Sequence, residues 1–476
     1  MKSKPNILLI TTDQQRFDTI AALGNQHIYT PHLDWLTDEG ITFTRAYADA
    51  PICMPARATI MTGKHGFNTG LTGNVTTVIP MQSHPTLPDL LTRAGYQTRA
   101  QGKMHFEPVR ANYGFEYMEL PIDFYREQER LGRRPKEHGV GENEITPVIS
   151  TVDEAHSLTH WIVRRSIDFL ETRDPTRPFF LWTSFTKPHP PWDPPANYWA
   201  LYQHRDIPEP VIGEWARTVE ETPQAFLEPT YMLNNAYRMS IEQLKEAKRA
   251  YYACITQVDY QLGLLFARMR EMNLLENTWI LFTSDHGEML GDHHMAAKTI
   301  FLEGSAHIPL IIRPPARPWQ DIPLAGKQVE TLVNLADLLP TILNLANAPL
   351  PDDYDGLDLM SLIDSPLERD FYGVSGGCFY CIIRGDYKYT WARAGGQELL
   401  FNLREDPMER HNLTEQASAQ NILREMRAAL IESMVAHNSP CVEDGKLKPG
   451  PALTGPKRVH KWPGFHSTAV DSDVLH

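Results

Sequence analysis

Asn6-Ile-Leu-Leu-Ile-Thr-Thr-Asp13-Gln14, near the start of the chain, and Trp279-Ile-Leu-Phe-Thr-Ser-Asp285-His286-Gly287, well past its middle, are the two stretches that decide the fold. Each is a short, unbroken apolar run ending in two polar residues that can bind a cation or move a proton. Such runs, without polar alternation, fit strands buried on both faces, as in parallel sheets covered by helices. Phe179 to Phe185 and Pro309 to Ile312 repeat the pattern. From about Ser240 to Met272, the residues Leu244, Ala247, Tyr251, Cys254, Val258, Leu262, Leu265 and Met269 recur at three- and four-residue steps. That periodicity predicts a long helix laying one apolar stripe on the sheet. The expected fold class is α/β, with a large, mostly parallel central sheet flanked by helices. In open sheets of this kind ligands bind beyond the carboxyl ends of the strands, so both polar pairs are expected to share one crevice.

Working outward, residues 107–150 and 190–235 are rich in Pro, Arg, Glu and Tyr without clear periodicity, which reads as long insertions over one end of the sheet. After Pro351 the pattern changes to strands at Phe371 to Val374, Cys378 to Arg384, Tyr387 to Trp391 and Glu398 to Asn402, then a helix near Ala417 to Ala436. The expected organisation is an α/β catalytic domain over 1–350, a smaller α+β domain over 351–438 and a Pro/Gly-punctuated tail over 439–476. No internal repeat is visible.

With 476 residues, 42% of them hydrophobic, the chain can bury a large core. Its formal net charge of -14 argues against a nucleic-acid partner, so any anionic substrate must be met by a few local cations. The five cysteines are too few, and odd in number, for a disulfide framework. Cys378 and Cys381 form a CxxC without a second pair, which reads as packed thiols rather than a zinc site. The opening Met-Lys-Ser-Lys-Pro leads into an apolar run too short for a leader peptide, and no stretch is long enough to span a bilayer. The expected compartment is the cytoplasm; oligomeric state is not legible.

Asp13, Gln14, Asp285 and His286 together offer two carboxylates, an amide oxygen and an imidazole. That set suits one divalent cation, calcium or magnesium by its oxygen content, with manganese also compatible with the imidazole. Each pair alone would equally suit a strand-end turn. Between them lies Ala50-Pro-Ile-Cys53-Met-Pro55-Ala-Arg57-Ala-Thr-Ile-Met-Thr62-Gly63. Pro55 fits a first helical turn, which would put Cys53 at a helix N-terminus, where free N–H groups attract an anion. A buried structural thiol is the plain alternative.

Cys53-Met-Pro55-Ala-Arg57 followed by Thr62-Gly63 resembles the CxPxR signature of type I sulfatases, in the alkaline phosphatase superfamily. The resemblance implies an alkaline phosphatase-like fold and a sulfuric ester hydrolase. It also implies that a maturation enzyme oxidises Cys53 to formylglycine, whose hydrate attacks sulfur. The implied cation, most simply calcium, is held by Asp13, Gln14, residue 53, Asp285 and His286; many relatives have a second Asp where this chain has Gln14. Gly102-Lys103-Met-His105 is similar to the GKxH segment, which implies sulfate binding by Lys103 and a basic role for His105. Lys187-Pro-His189-Pro-Pro191 is similar to the PHxP segment, which implies that His189 protonates the leaving alcohol. Lys298 falls where the family has a second sulfate-binding lysine, Arg57 is implied to hold the formylglycine side chain, and Asn74 resembles an amide contact to sulfate. Glu398 to Leu413 resembles the family's closing hairpin.

Two rivals stand beside this reading. One is a phosphonate or phosphate ester hydrolase of the same superfamily, against which Lys103 and His105 count. The other is a silent binding protein for sulfated glycans, against which the intact set of Cys53, Arg57, Lys103, His189 and Lys298 counts. A sulfated carbohydrate is the expected substrate, since Tyr125, Arg126, Trp192, Asp193, Tyr198 and Trp199 in the insertions suit sugar rings.

Overall fold

The computed structural model describes residues 4–74, 80–133, 143–317 and 320–455. Eight strands form the main sheet in the order β5 (Tyr117–Glu119), β4 (Gln97–Gly102), β6 (Phe179–Pro188), β1 (Asn6–Asp13), β7 (Thr278–Ser284), β8 (Leu310–Arg313), β2 (Ile41–Phe43) and β9 (Lys327–Val329). The run from β5 to β7 is parallel throughout, and only β8 runs against its neighbours β7 and β2. The sheet is thus mixed but mostly parallel, as its apolar strands imply. A two-residue pair, β3 (Ala46–Tyr47) with β10 (Val333–Asn334), stands apart from it.

Alternation along the strands builds a core on each face. Ile7, Leu9, Phe180, Trp182 and Leu281 point one way and pack with Ala56 and Ile60 of the helix Cys53–Thr62 and with Leu87 and Leu91 of the helix Leu87–Arg93. Leu8, Ile10, Phe179, Leu181, Ile280 and Phe282 point the other way, onto Val258, Leu262 and Leu265 of the helix Ile241–Glu271 and Ile162 and Leu170 of the helix Leu158–Thr172. Each such fully buried aliphatic side chain contributes about 2 kcal/mol. The long helix matches its periodicity to within a residue at each end, with Ser240 as its cap accepting from Gln243 N–H.

The C-terminal sheet is an antiparallel meander of β11 (Phe371–Ser375), β12 (Phe379–Arg384), β13 (Tyr387–Ala392) and β14 (Gln397–Asn402). Tyr380, Ile382 and Trp391 pack on the helix Gln420–Ala436. Phe379, Cys381 and Ile383 face the other way, against Phe226, Met295 and Phe301 of the larger part. All five cysteines are free, and burial pushes the Cys378 and Cys381 thiols up to about 12, as packed thiols should be. Within the tail, β15 (Val442–Glu443) and β16 (Lys446–Leu447) form a hairpin, and Gly450 bridges to Ala394. Residues 1–3, 134–142 and 456–476, which carry part of the charged opening, of the first insertion and most of the tail, lie outside the described residues.

The insertions contain more regular structure than their sequences advertise, including the helices Pro121–Arg130, Ala196–Tyr202 and Gln224–Leu233. They also take Trp192 and Tyr198 out of the expected sugar-facing set, while Arg126 stays exposed and Tyr125 and Trp199 half-buried. Trp192 is 1% exposed, packs edge-on to Tyr251 and donates its indole N–H to the Pro188 carbonyl. Tyr198 is buried with its hydroxyl on Glu154, Asp193 pairs with Lys187, and Tyr125 leans on Phe124. The Trp192 and Tyr198 rings are too large and apolar to leave in water when Tyr251 and Tyr260 of the long helix offer them cover. No helix among the described residues is long and apolar enough to cross a membrane.

Candidate active site

Four neighbouring strands, β4, β6, β1 and β7, deliver the polar residues at their carboxyl ends. Register places Gly102 beside Ser184 and Thr12 beside Ser284, so the residues that follow emerge side by side. Gly102 has φ 98°, and a Cβ there would come within 1.9 Å of the Ser184 carbonyl oxygen, so only glycine lets β4 pass this close to β6. Lys103 follows at once, its N–H donating to that same carbonyl at 3.0 Å. Cys53 arrives from the other side, as the first residue of the helix Cys53–Thr62, after Ile52 in extended backbone. The Pro55 signal is thereby borne out.

The side chains then converge. Cys53 Sγ lies 3.3 Å from His286 Nε2, 3.8 Å from Asp13 Oδ1 and 3.9 Å from Lys103 Nζ. One donor atom from each of Asp13, Cys53, Asp285 and His286 lies within 4.8 Å of all the others. His286 Nδ1 faces the Gly287 carbonyl at 3.0 Å, which makes it the protonated nitrogen and leaves the Nε2 lone pair toward the cluster. Burial also lowers the His286 pKa, keeping the ring neutral. Two buried carboxylates, a neutral imidazole and residue 53 in that space fit a divalent cation.

Cations surround the cluster. Lys103 Nζ is 2.6 Å from Asp13 Oδ2, while Arg57 Nε donates to Asp285 Oδ2 at 3.0 Å and its Nη2 lies 3.6 Å from Asp13 Oδ2. Burial alone would raise the Asp13 carboxyl; Lys103, then His189, Arg57 and Lys298 outweigh it and hold it well below the usual carboxylate range. The Cys53 thiol goes the other way, pushed up to about 12 first by burial and then by Asp13, against Lys103 and Lys298. As a cysteine it is therefore protonated and inert at neutral pH.

The remaining expected residues are brought to the rim. His189 is buried on the loop after β6, its Nδ1 2.7 Å from the Pro190 carbonyl, so Nε2 is the nitrogen able to exchange a proton. Lys187 holds that loop by donating to the Pro191 carbonyl and Asp193. His105 is buried two residues after Lys103 in left-handed backbone, φ 55°. Asn74 Oδ1 accepts the Met54 N–H at 3.1 Å, capping the first turn of the Cys53 helix. Lys298 is 5% exposed and donates to Gln14 Oε1 at 2.8 Å, on a loop pinned by Thr299 N–H to the Pro51 carbonyl. Gln14 is thus beside the cluster with its amide already engaged.

Two residues escaped the sequence reading. Ser184 accepts from Arg57 Nη1 and donates to the Lys103 carbonyl; its only signal was a hydroxyl near the end of an apolar strand. Glu288 is fully buried beneath Gln14; its signal was an acid two residues after His286.

The family model described as Sulfatase matches residues 5–348, and one described as N-sulphoglucosamine sulphohydrolase, C-terminal, matches 291–436. An arylsulfatase of Clostridium perfringens is 33% identical over 96% of this chain and 100% of its own length; a choline-sulfatase of Rhizobium meliloti is 31% identical over 90% and 86%. An ulvan-active sulfatase of Formosa agariphila is 29% identical over 90% and 80%. Among solved structures, the phosphonate monoester hydrolase of Agrobacterium radiobacter superposes with a TM-score of 0.78 at 26% identity, covering 94% of this chain and all of its own. Since the sulfatase model spans most of the chain and the clostridial arylsulfatase matches it from end to end, the chain belongs to the sulfatase family of the alkaline phosphatase superfamily and is a sulfuric ester hydrolase.

Proposed function

We propose that this enzyme hydrolyses a sulfate monoester of a carbohydrate through a formylglycine made from Cys53, with one divalent cation, calcium in the first place, held by Asp13, Gln14, residue 53, Asp285 and His286. The observation that carries the reading is the position of residue 53. It stands at a helix N-terminus, 3.3 Å from a neutral imidazole, among cations, yet as a thiol it is held protonated. When present, the formylglycine hydrate supplies a hydroxyl nucleophile, and the cation lowers that hydroxyl's pKa and draws charge from a sulfate oxygen. Lys103, Lys298, the Asn74 amide and the N–H groups of the Cys53 helix bind the remaining sulfate oxygens. His189 delivers a proton from Nε2 to the departing alcohol oxygen, and His105 would take the proton of the hydroxyl left at residue 53 as the C–O bond to sulfate breaks and the aldehyde re-forms. Arg57 keeps both carboxylates aimed inward. Because Cys53 is fully buried, its maturation enzyme has to reach it before the helix Cys53–Thr62 docks.

The sulfated carbohydrate is supported by the ulvan-active relative; the choline-sulfatase relative supports a small non-sugar ester instead. Peptide mass spectrometry across residue 53, joined to a screen of sulfated mono- and oligosaccharides against choline and aryl sulfates, tests both levels. Persistent cysteine in a host that matures other sulfatases would sink the nucleophile. Hydrolysis of the non-sugar esters alone would sink the carbohydrate. A second reading, phosphonate or phosphate ester hydrolysis, is favoured by the solved structure with TM-score 0.78. Matched aryl sulfate and aryl phosphonate monoesters with one leaving group separate the two, and we expect the sulfate to turn over faster because the chain keeps the Lys103 and His105 pair that resembles the sulfatase GKxH segment.

A further inference from the structure

The roles proposed above leave one buried acid of this site without a task. Glu288 is fully buried. Its Oε1 accepts the N–H groups of Leu290 at 3.0 Å and Ala297 at 2.6 Å, and its Oε2 accepts from the side-chain amide of Gln14. Its own backbone is fixed, N–H on the Gly304 carbonyl and carbonyl accepting from Arg16. A carboxamide has a donor end and an acceptor end that exchange on a half-turn of its terminal bond, so a neighbouring anion decides which way it points. With Nε2 on Glu288, Gln14 Oε1 faces the other way and accepts from Lys298 Nζ at 2.8 Å. The Gln14 backbone leaves no slack, with φ 71°, its N–H on Asp285 Oδ1 at 3.1 Å and its carbonyl accepting the Tyr251 hydroxyl at 2.7 Å. Glu288 also adds a third buried acid to Asp13 and Asp285, and Lys298 acts on it electrostatically.

We infer that Glu288 is a positioning residue of the cation and sulfate site, which fixes the Gln14 carboxamide so that its oxygen, and not its NH2, faces Lys298 and the cation. The inference rests on the metal reading proposed above. It makes a particular demand on substitutions. In Glu288→Gln the two backbone donors, Leu290 and Ala297, hold the new amide oxygen, so its NH2 meets Gln14 and turns that amide around, NH2 toward Lys298. Adding Gln14→Glu restores a matched pair with carboxylate and amide exchanged.

The test is calorimetric titration of calcium chloride into chelator-stripped, matured full-length enzyme, for the wild type, Q14E, E288Q and the double variant. E288Q is expected to bind calcium about 10- to 100-fold more weakly. The double variant is expected to recover most of that loss and to bind at least about tenfold more tightly than E288Q, a gain that has to exceed the one Q14E brings to the wild type, since an added carboxylate acting by charge alone would give equal gains in both backgrounds. E288Q binding like the wild type, or a double variant no better than E288Q, overturns the inference. So does failure of both to fold, since Glu288 would then serve only the Leu290 and Ala297 backbone; a double variant that folds where E288Q does not supports it. A wild-type enzyme that takes up no calcium overturns the metal reading itself, which separates the two failures.

Discussion

Two of the charge clusters among the described residues are built on opposite plans. At the seam between the main and C-terminal sheets, Lys388 Nζ lies 2.7 Å from Glu303 and 2.6 Å from Glu409. Glu303 is also 2.7 Å from His307 Nδ1, and Glu409 Oε2 accepts the Glu303 N–H at 2.7 Å. The His307 and Tyr47 rings stack beside them, centroids 4.8 Å apart. Every charge there is used up by its neighbours. In the cluster around Cys53 the cations sit beside the donors, Lys103 on Asp13, Arg57 on Asp13 and Asp285, and Lys298 on the Gln14 amide oxygen. Inside, one donor atom from each of Asp13, Cys53, Asp285 and His286 lies within 4.8 Å of all the others, with Cys53 Sγ and His286 Nε2 3.3 Å apart. Burial of charge therefore does not mark a site; convergence of donors on a common point does. The seam holds two sheets together, and the other cluster is arranged for a ligand.

Substitutions should separate the two plans. The largest effect is expected from Cys53→Ala, which lacks any nucleophile and should lower kcat on an aryl sulfate by about 10⁴-fold or more while leaving the melting temperature close to wild type. Retained turnover would erase the distinction. Next, Lys388→Met removes the cation that buried Glu409 and half-buried Glu303 share and should destabilise the fold by about 3 kcal/mol in denaturant titration, with kcat of the folded fraction unchanged. A fall in kcat instead would couple the seam to the chemistry. Lys298→Ala should cost about 10²- to 10³-fold in kcat/KM, the usual effect of losing one oxyanion donor, and little stability. A change confined to stability would move Lys298 into the structural class.

The smallest effect concerns pH. Burial, with Glu303 nearby and against Lys388, raises the Glu409 pKa to about 7, while Lys388 and His307 outweigh burial at Glu303 and hold it low. An unfolded glutamate titrates near about 4.3, so the folded state keeps a proton that the unfolded chain has released. The stabilisation is complete below the unfolded value and disappears as pH rises through about 7. Glu409→Gln should therefore flatten the decline of melting temperature between about pH 5 and 8. Parallel profiles for variant and wild type would show that the seam does not hold this proton.

Much of this was legible beforehand because it lay in short, local patterns. The apolar runs of β1, β6, β7 and β8 read as strands buried on both faces, and the three- and four-residue spacing of the Ser240 to Met272 stretch read as a helix laid on a sheet. The polar pairs ending β1 and β7 did meet at one crevice, since register pairs Thr12 with Ser284. The antiparallel course of β8 was not legible, because an apolar run carries no direction. Nor were the helices of the insertions, whose proline and charge content blurs their period.

By itself, then, the sequence determined the fold class, the strand ends and the family to which Cys53-Met-Pro55-Ala-Arg57 belongs, because buried strands and a helix start write themselves into neighbouring residues. Only the tertiary structure decided that Trp192 and Tyr198 serve the core and not a sugar, that Lys388 is consumed by Glu303 and Glu409, and that Glu288 turns the Gln14 amide. Gln14 and Glu288 stand 274 residues apart, so the hydrogen bond that orients the amide exists only once β1 and β7 lie side by side.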